Sequence, residues 1–259
     1  MSDIRILNIN KEKLLKSQKL TTKEVREYIE KNANELLGLT LLASNYLLKQ
    51  GTNDIIETFA IDETYRLVII EYRSGKFGKI INKGLVYIDY IKENLSQIKM
   101  LISDKLGSDK VSNINYNPRL IVIGDDFNRY DEHSIKSLPV QVDLIKYQMY
   151  DNQYFVLEKN YCSKVIDHDD FTYKLKNRDQ LALYKLINDF MLSLGDEVTE
   201  YGYKNVLCYR KINYFAYVIF NEEIEIQLNI KNKPKLITIK NEKDFQKASE
   251  YIEKAYDER

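Results

Sequence analysis

Cysteine and histidine are nearly missing from this chain, with two of each among 259 residues. Cys162 and Cys208 lie far apart without C-x-x-C spacing, which argues against a disulfide scaffold or a zinc site and suits a reducing compartment. His133 and His168 are the two histidines, no serine or cysteine is flanked in a way that suggests a catalytic triad, and there is no P-loop and no G-x-G-x-x-G. Net charge is missing as well, because 39 basic and 39 acidic residues cancel. No global field draws the chain to a polyanion, so nucleic-acid binding would have to come from a local patch. Long apolar runs are also absent. Nothing approaches the roughly 20 residues needed to cross a bilayer, and the start of the chain, with Lys11, Lys13, Lys16 and Lys19, holds no apolar signal core. A cytoplasmic protein without membrane association is expected. Proline is scarce while tyrosine, lysine, isoleucine and asparagine abound, a composition that suits an AT-rich bacterial genome.

What is present is a 44% hydrophobic content, enough for a real core in one large domain or two ordinary ones. The most informative stretch runs from Asn53 to Arg73, where two apolar runs flank a polar turn at Asp62 to Thr64 and predict a β-hairpin. Side chains alternate along a strand, so Glu71 and Arg73 project from one face and Tyr72 from the other. The continuous run Leu67, Val68, Ile69, Ile70 suits a strand covered on both faces, with Glu71 where it emerges.

These residues resemble the PD-(D/E)XK nuclease superfamily, in which an acid on one strand and a Glu-x-Lys on the next hold divalent cations. Glu71-Tyr72-Arg73 resembles the "EYK" of a bacterial branch, and Ile56 to Glu63 is similar to its I-D-x-x-x-I-D-E. Ile81 to Ile91 is similar to its "INQGLxYLDWL", and Asn117 to Ile121 followed by Asp125-Asp126-Phe127 also matches. The resemblance spans roughly residues 20 to 158 and implies a restriction-endonuclease-like mixed sheet with flanking helices. It also implies Glu57 and Glu71 as metal ligands, Mg²⁺ as the cofactor of an active form, and Arg73 and Lys83 at the positions of the catalytic lysine and a supporting glutamine. Glu71 is kept, while the polar positions at Glu57, Arg73 and Lys83 have changed. Glutamate for aspartate moves the carboxylate by about an ångström, a misplacement that can cost about a hundredfold in rate. An arginine stays protonated and suits a carboxylate or phosphate fork.

Beyond the hairpin, a helix capped at Thr21 or Thr22 offers Glu24, Glu27 or Glu30 to the site, or simply a solvated face. Asp54 is a rival for the missing aspartate but falls on the opposite strand face from Glu57. A long helix is expected to about Asp104, then strands near Arg119 to Gly124, Gln141 to Met149 and Gln153 to Leu157. Arg73, Lys76, Lys79 and Lys83 would converge on one rim as a phosphate seat, or form a charge network with neighbouring acids. Residues 1–158 form the expected nuclease-like domain, 159–177 a linker, and 178–259 a small α+β domain that resembles an uncharacterised domain fused to the same branch. The polar run around His168, with Asp167, Asp169 and Asp170, reads as part of the linker. Tyr201, Tyr203, Tyr209, Tyr214, Phe215, Tyr217 and Phe220 could stack bases, but hairpin packing is the stronger expectation.

The substituted site points to a protein that binds nucleic acid, DNA ahead of RNA, or a protein partner, without cutting. The alternatives are a Mg²⁺-dependent endonuclease with a variant site and a regulatory or inhibitory interaction module.

Overall fold

The computed structural model describes residues 4–48, 54–75, 79–163, 178–230 and 233–259. Lys76 and the Asp167 to Asp170 run lie outside them. The chain divides into two compact units, Met1–Ser163 and Lys164–Arg259.

In the first unit, three two-residue strands, β1 (Leu7–Asn8), β2 (Lys13–Leu14) and β3 (Ser17–Gln18), precede helices α1 (Thr22–Lys31) and α2 (Ala33–Leu37). Thr21 and Glu24 close a capping box at the start of α1, which consumes Glu24. Then come β4 (Leu39–Leu47), the hairpin β5 (Ile55–Asp62) and β6 (Arg66–Arg73), and helices α3 (Ile80–Glu93) and α4 (Leu95–Leu106). The expected single long helix is thus two, because the Asn94 amide side chain donates to the Tyr90 carbonyl and ends α3. Strand β7 (Asn115–Gly124), helix α5 (Arg129–Lys136), and strands β8 (Val142–Tyr150) and β9 (Tyr154–Cys162) complete the unit.

The main sheet runs β4-β5-β6-β7-β8, with β3 and β9 also paired to β8. β6, β7 and β8 are parallel, while β4, β5 and β6 are antiparallel, giving a mixed α/β layer flanked by helices. Every residue of β6 is buried, as its unbroken apolar run requires. The hairpin turns where the Asp62 carboxylate accepts from Thr64 N, Thr64 Oγ1 and Arg66 N, with Tyr65 in the left-handed region at φ 61°. β9 continues to Cys162, past residue 158 where the linker was expected to begin, because Tyr161 and Cys162 still pair with Leu144 and Asp143.

Helix α3 presses hard on β7. A Cβ at Gly84 would lie 2.4 Å from Leu120 Cδ2, so only glycine permits this approach. The approach carries Lys83, one residue earlier, to the end of β6.

The second unit has α6 (Arg178–Ser193), then the antiparallel meander β10 (Thr199–Tyr203), β11 (Val206–Arg210), β12 (Tyr214–Phe220), β13 (Ile224–Ile230) and β14 (Lys233–Ile239), then α7 (Glu242–Asp257). Helix α7 packs across β12 to β14 and against α6, over a core that includes Ile187, Phe215, Val218, Phe245 and Ile252. The aromatic block is spent on packing. Tyr201, Tyr209, Tyr214, Phe215, Tyr217 and Phe220 are buried, and only Tyr203 is half-exposed.

Candidate functional site

At the open end of the hairpin the backbone ladder gives way to side chains. β5 and β6 pair at Thr58–Ile70, but at the next position Glu57 N donates to Glu71 Oε1 at 3.1 Å. The carboxylate stands in for the carbonyl that a continued ladder would supply. Its other oxygen, Oε2, accepts from Lys83 Nζ at 2.9 Å, and the same ammonium lies 3.9 Å from Glu57 Oε1. Glu57, Glu71 and Lys83 therefore meet, although Lys83 comes from α3 and the acids from the sheet.

Their environments differ sharply. The Glu71 side chain is fully buried, whereas those of Glu57 and Lys83 are 26% and 38% exposed. Burial pushes the Glu71 carboxyl above the ordinary glutamate range, against the opposing pull of Lys83 and the Glu57 amide. Burial raises Glu57 as well, opposed by Lys83 and Arg26. For Lys83 burial disfavours the charge, yet its bond to Glu71 outweighs this and holds the ammonium above the usual lysine value. The ammonium also sits over the Tyr87 ring, 5.3 Å from its centroid.

Arg73 is not part of this group. Its guanidinium grips both Asp131 oxygens at 2.9 Å, donates to the Asp126 carbonyl at 2.8 Å and lies over Phe127. Asp131 is also the capping-box residue of α5, accepting from Asn128 N. The Arg73 fork thus fastens the end of β6 to the start of α5, and its side chain is only 3% exposed. Burial raises the Asp131 carboxyl, but the hydrogen bonds from Arg73 and Asn128 prevail and hold it below the usual aspartate value.

Of the helix α1 acids, Glu27 is exposed on the surface, while Glu30 reaches the sheet. Its oxygens accept from Ser44 Oγ at 2.8 Å and Thr58 Oγ1 at 2.6 Å, and Thr58 Oγ1 meets the Tyr72 hydroxyl at 2.9 Å. Thr58 and Tyr72 alternate with Glu57 and Glu71, so this cluster occupies the other face of the hairpin. Asp54, at the start of β5, uses its carbonyl to accept from Leu48 N. Sequence reasoning missed two residues beside Glu57. Arg26 of α1 donates to Asn45 Oδ1 at 2.6 Å, and Asn45 holds a left-handed φ of 51° within β4, where Glu57 would be its strand partner.

A cleft of about 500 Å³ is lined by Thr22, Tyr72, Arg73, Ser74, Lys79 and Lys83 among others; Glu57 and Glu71 do not line it, and Lys83 links it to the acid pair. Lys79 begins α3 without a side-chain cap, and no acid occupies that helix's first turn. The group's fit to a divalent cation is poor. Both Glu71 oxygens are engaged, Lys83 stands between the carboxylates, and among the described residues no three His, Cys, Asp or Glu are grouped to hold a metal ion. An ammonium takes the place that a cation would need.

The fold and site thus define a mixed α/β unit with a charge-compensated acid pair at one end of its sheet. No protein-family model matches the chain. The chain is similar to an uncharacterised protein of Haemophilus influenzae, 24% identical over 147 residues, which cover 55% of this chain and 48% of that one. The chain spans about half the length of that relative. Among solved structures it is similar to a complex of EndoMS with double-stranded DNA, with 14% identity and a TM-score of 0.29 over 51% of this chain and 47% of that chain.

Proposed function

We propose that the N-terminal unit is a nuclease-fold module that binds nucleic acid, DNA ahead of RNA, without cutting it. One observation carries this reading: the Lys83 ammonium at 2.9 Å from Glu71 and 3.9 Å from Glu57, where an active site of this kind would need a metal ion. With Lys83 offsetting one of the two carboxylate charges, Lys79 and the amino end of α3, which has no side-chain cap, give the cleft next to Lys83 a cationic character suited to a phosphate. Arg73 also lines this cleft, but its guanidinium is already committed to Asp131.

The test has two arms. Incubation with single-stranded, double-stranded and branched DNA in Mg²⁺ or Mn²⁺ is expected to leave the DNA intact. A mobility shift at low salt is expected to weaken in Lys79→Glu, with the salt slope falling by about one. A second reading, a cleaving enzyme, draws on the convergence of two carboxylates and one ammonium at one strand end, the chemistry that metal-assisted hydrolysis employs. Cleavage lost in Glu71→Gln would establish that reading in place of the first. Absence of any shift at low salt would leave a protein partner as the ligand.

A further inference from the structure

The second unit has a cleft of its own, about 710 Å³, between the first two turns of α6, the β12–β13 turn and the start of α7. That volume falls in the range of ligand sites. Its floor is apolar. Leu183 and Leu186 come from one face of α6, and Ile224 and Ile239, a cross-strand pair, are each 1% exposed. Its rim is acidic. Asp179, Glu222, Glu223 and Glu242 border it, and the lysine among the lining residues, Lys240, is held by Glu223 at 2.8 Å. Three carboxylates therefore remain over an apolar surface.

An anion is a poor occupant. The positive pole of α7 is met by its own Asn241 cap and by Glu242 and Asp244 in the first turn. A lysine side chain matches both layers, its aliphatic stem on the leucines and its ammonium among the carboxylates. Two turns of α6 span about 10 Å, the length of about three extended residues. From this charge and apolar complementarity we propose that the cleft docks a short lysine-bearing, partly apolar segment of a partner protein. This surface is separate from the nucleic-acid reading of the first unit.

The experiment titrates the full chain with a labelled Lys-Leu-Lys-Leu-Lys peptide, its Glu-Leu-Glu-Leu-Glu counterpart and spermidine, at about 50 mM salt where surface charges are weakly screened. The basic peptide is expected to bind, the acidic one not, and spermidine more weakly than the peptide. Combined Asp179→Asn, Glu222→Gln and Glu242→Gln, all surface changes that leave the core intact, is expected to weaken binding about tenfold. Absence of peptide binding, binding unchanged in the triple variant, or spermidine binding as tightly as the peptide would each overturn the proposal.

Discussion

The two ends of the β5–β6 hairpin use the same ingredients to different ends. At the turn, Arg119 bridges Asp62 at 3.4 Å and Asp143 at 2.9 Å, and Arg66 donates to Gln141 and to the Asn117 carbonyl. All of these acids and arginines are at most 5% exposed. At the open end, Glu71 is buried but its partners Glu57 and Lys83 reach solvent. The difference is access. A sealed cluster holds β5, β6, β7 and β8 in register, while a half-open one leaves Glu57 and Lys83 in reach of solvent.

Breaking the sealed end should have the largest effect. Arg119→Ala is expected to cost about 3–5 kcal/mol, because it removes the guanidinium that two buried carboxylates share. Urea unfolding reads this, and a loss below about 1 kcal/mol would erase the contrast between the two ends. Next comes the bracket between them. Arg73→Lys keeps the charge but loses the fork on Asp131, with an expected loss of about 1–2 kcal/mol and no change in DNA mobility shift. The Arg73–Asp131 bond also carries a pH signature. Asp131 is held below its ordinary pKa, so its contribution is present above about 3.8 and fades as pH falls through the lower folded value.

The smallest effect belongs to the open end. Lys83→Met should cost about 1 kcal/mol at neutral pH, because Glu71 loses a counter-ion while buried but its raised pKa lets it take up a proton instead. Its pH dependence sharpens the comparison. Glu71 already has a raised pKa, and losing Lys83 removes one of the two groups that restrain it, leaving the Glu57 amide. A carboxyl whose folded pKa lies above its unfolded one binds its proton more readily in the folded state, so stability rises on acidification through that window. The deficit of Lys83→Met should therefore shrink as pH falls from neutrality toward the ordinary glutamate value. A deficit independent of pH would mean that Lys83 is not the counter-ion of Glu71.

Local signals made the hairpin, its polar turn and α1 with its cap legible from sequence, because period and turn chemistry lie within a few residues of one another. Long-range partners were not legible. Arg73 and Asp131 are 58 positions apart, so the arginine could only be expected to hold the nearer Glu57 or Glu71. Lys83 was expected beside the acids only through the family resemblance, and its placement depends on Gly84 meeting Leu120. The break at Asn94 hid inside an unbroken apolar period, and β10, rich in tyrosine and polar residues, gave no strand alternation to read.

Titration of Mn²⁺ into the wild-type chain and Lys83→Gln, followed by electron paramagnetic resonance, tests the ammonium-for-metal exchange most directly. Wild type is expected to leave Mn²⁺ free, and removing the ammonium is expected to create one site that Glu71→Gln abolishes. Stoichiometric Mn²⁺ binding by the wild-type chain, lost in Glu71→Gln, would contradict it.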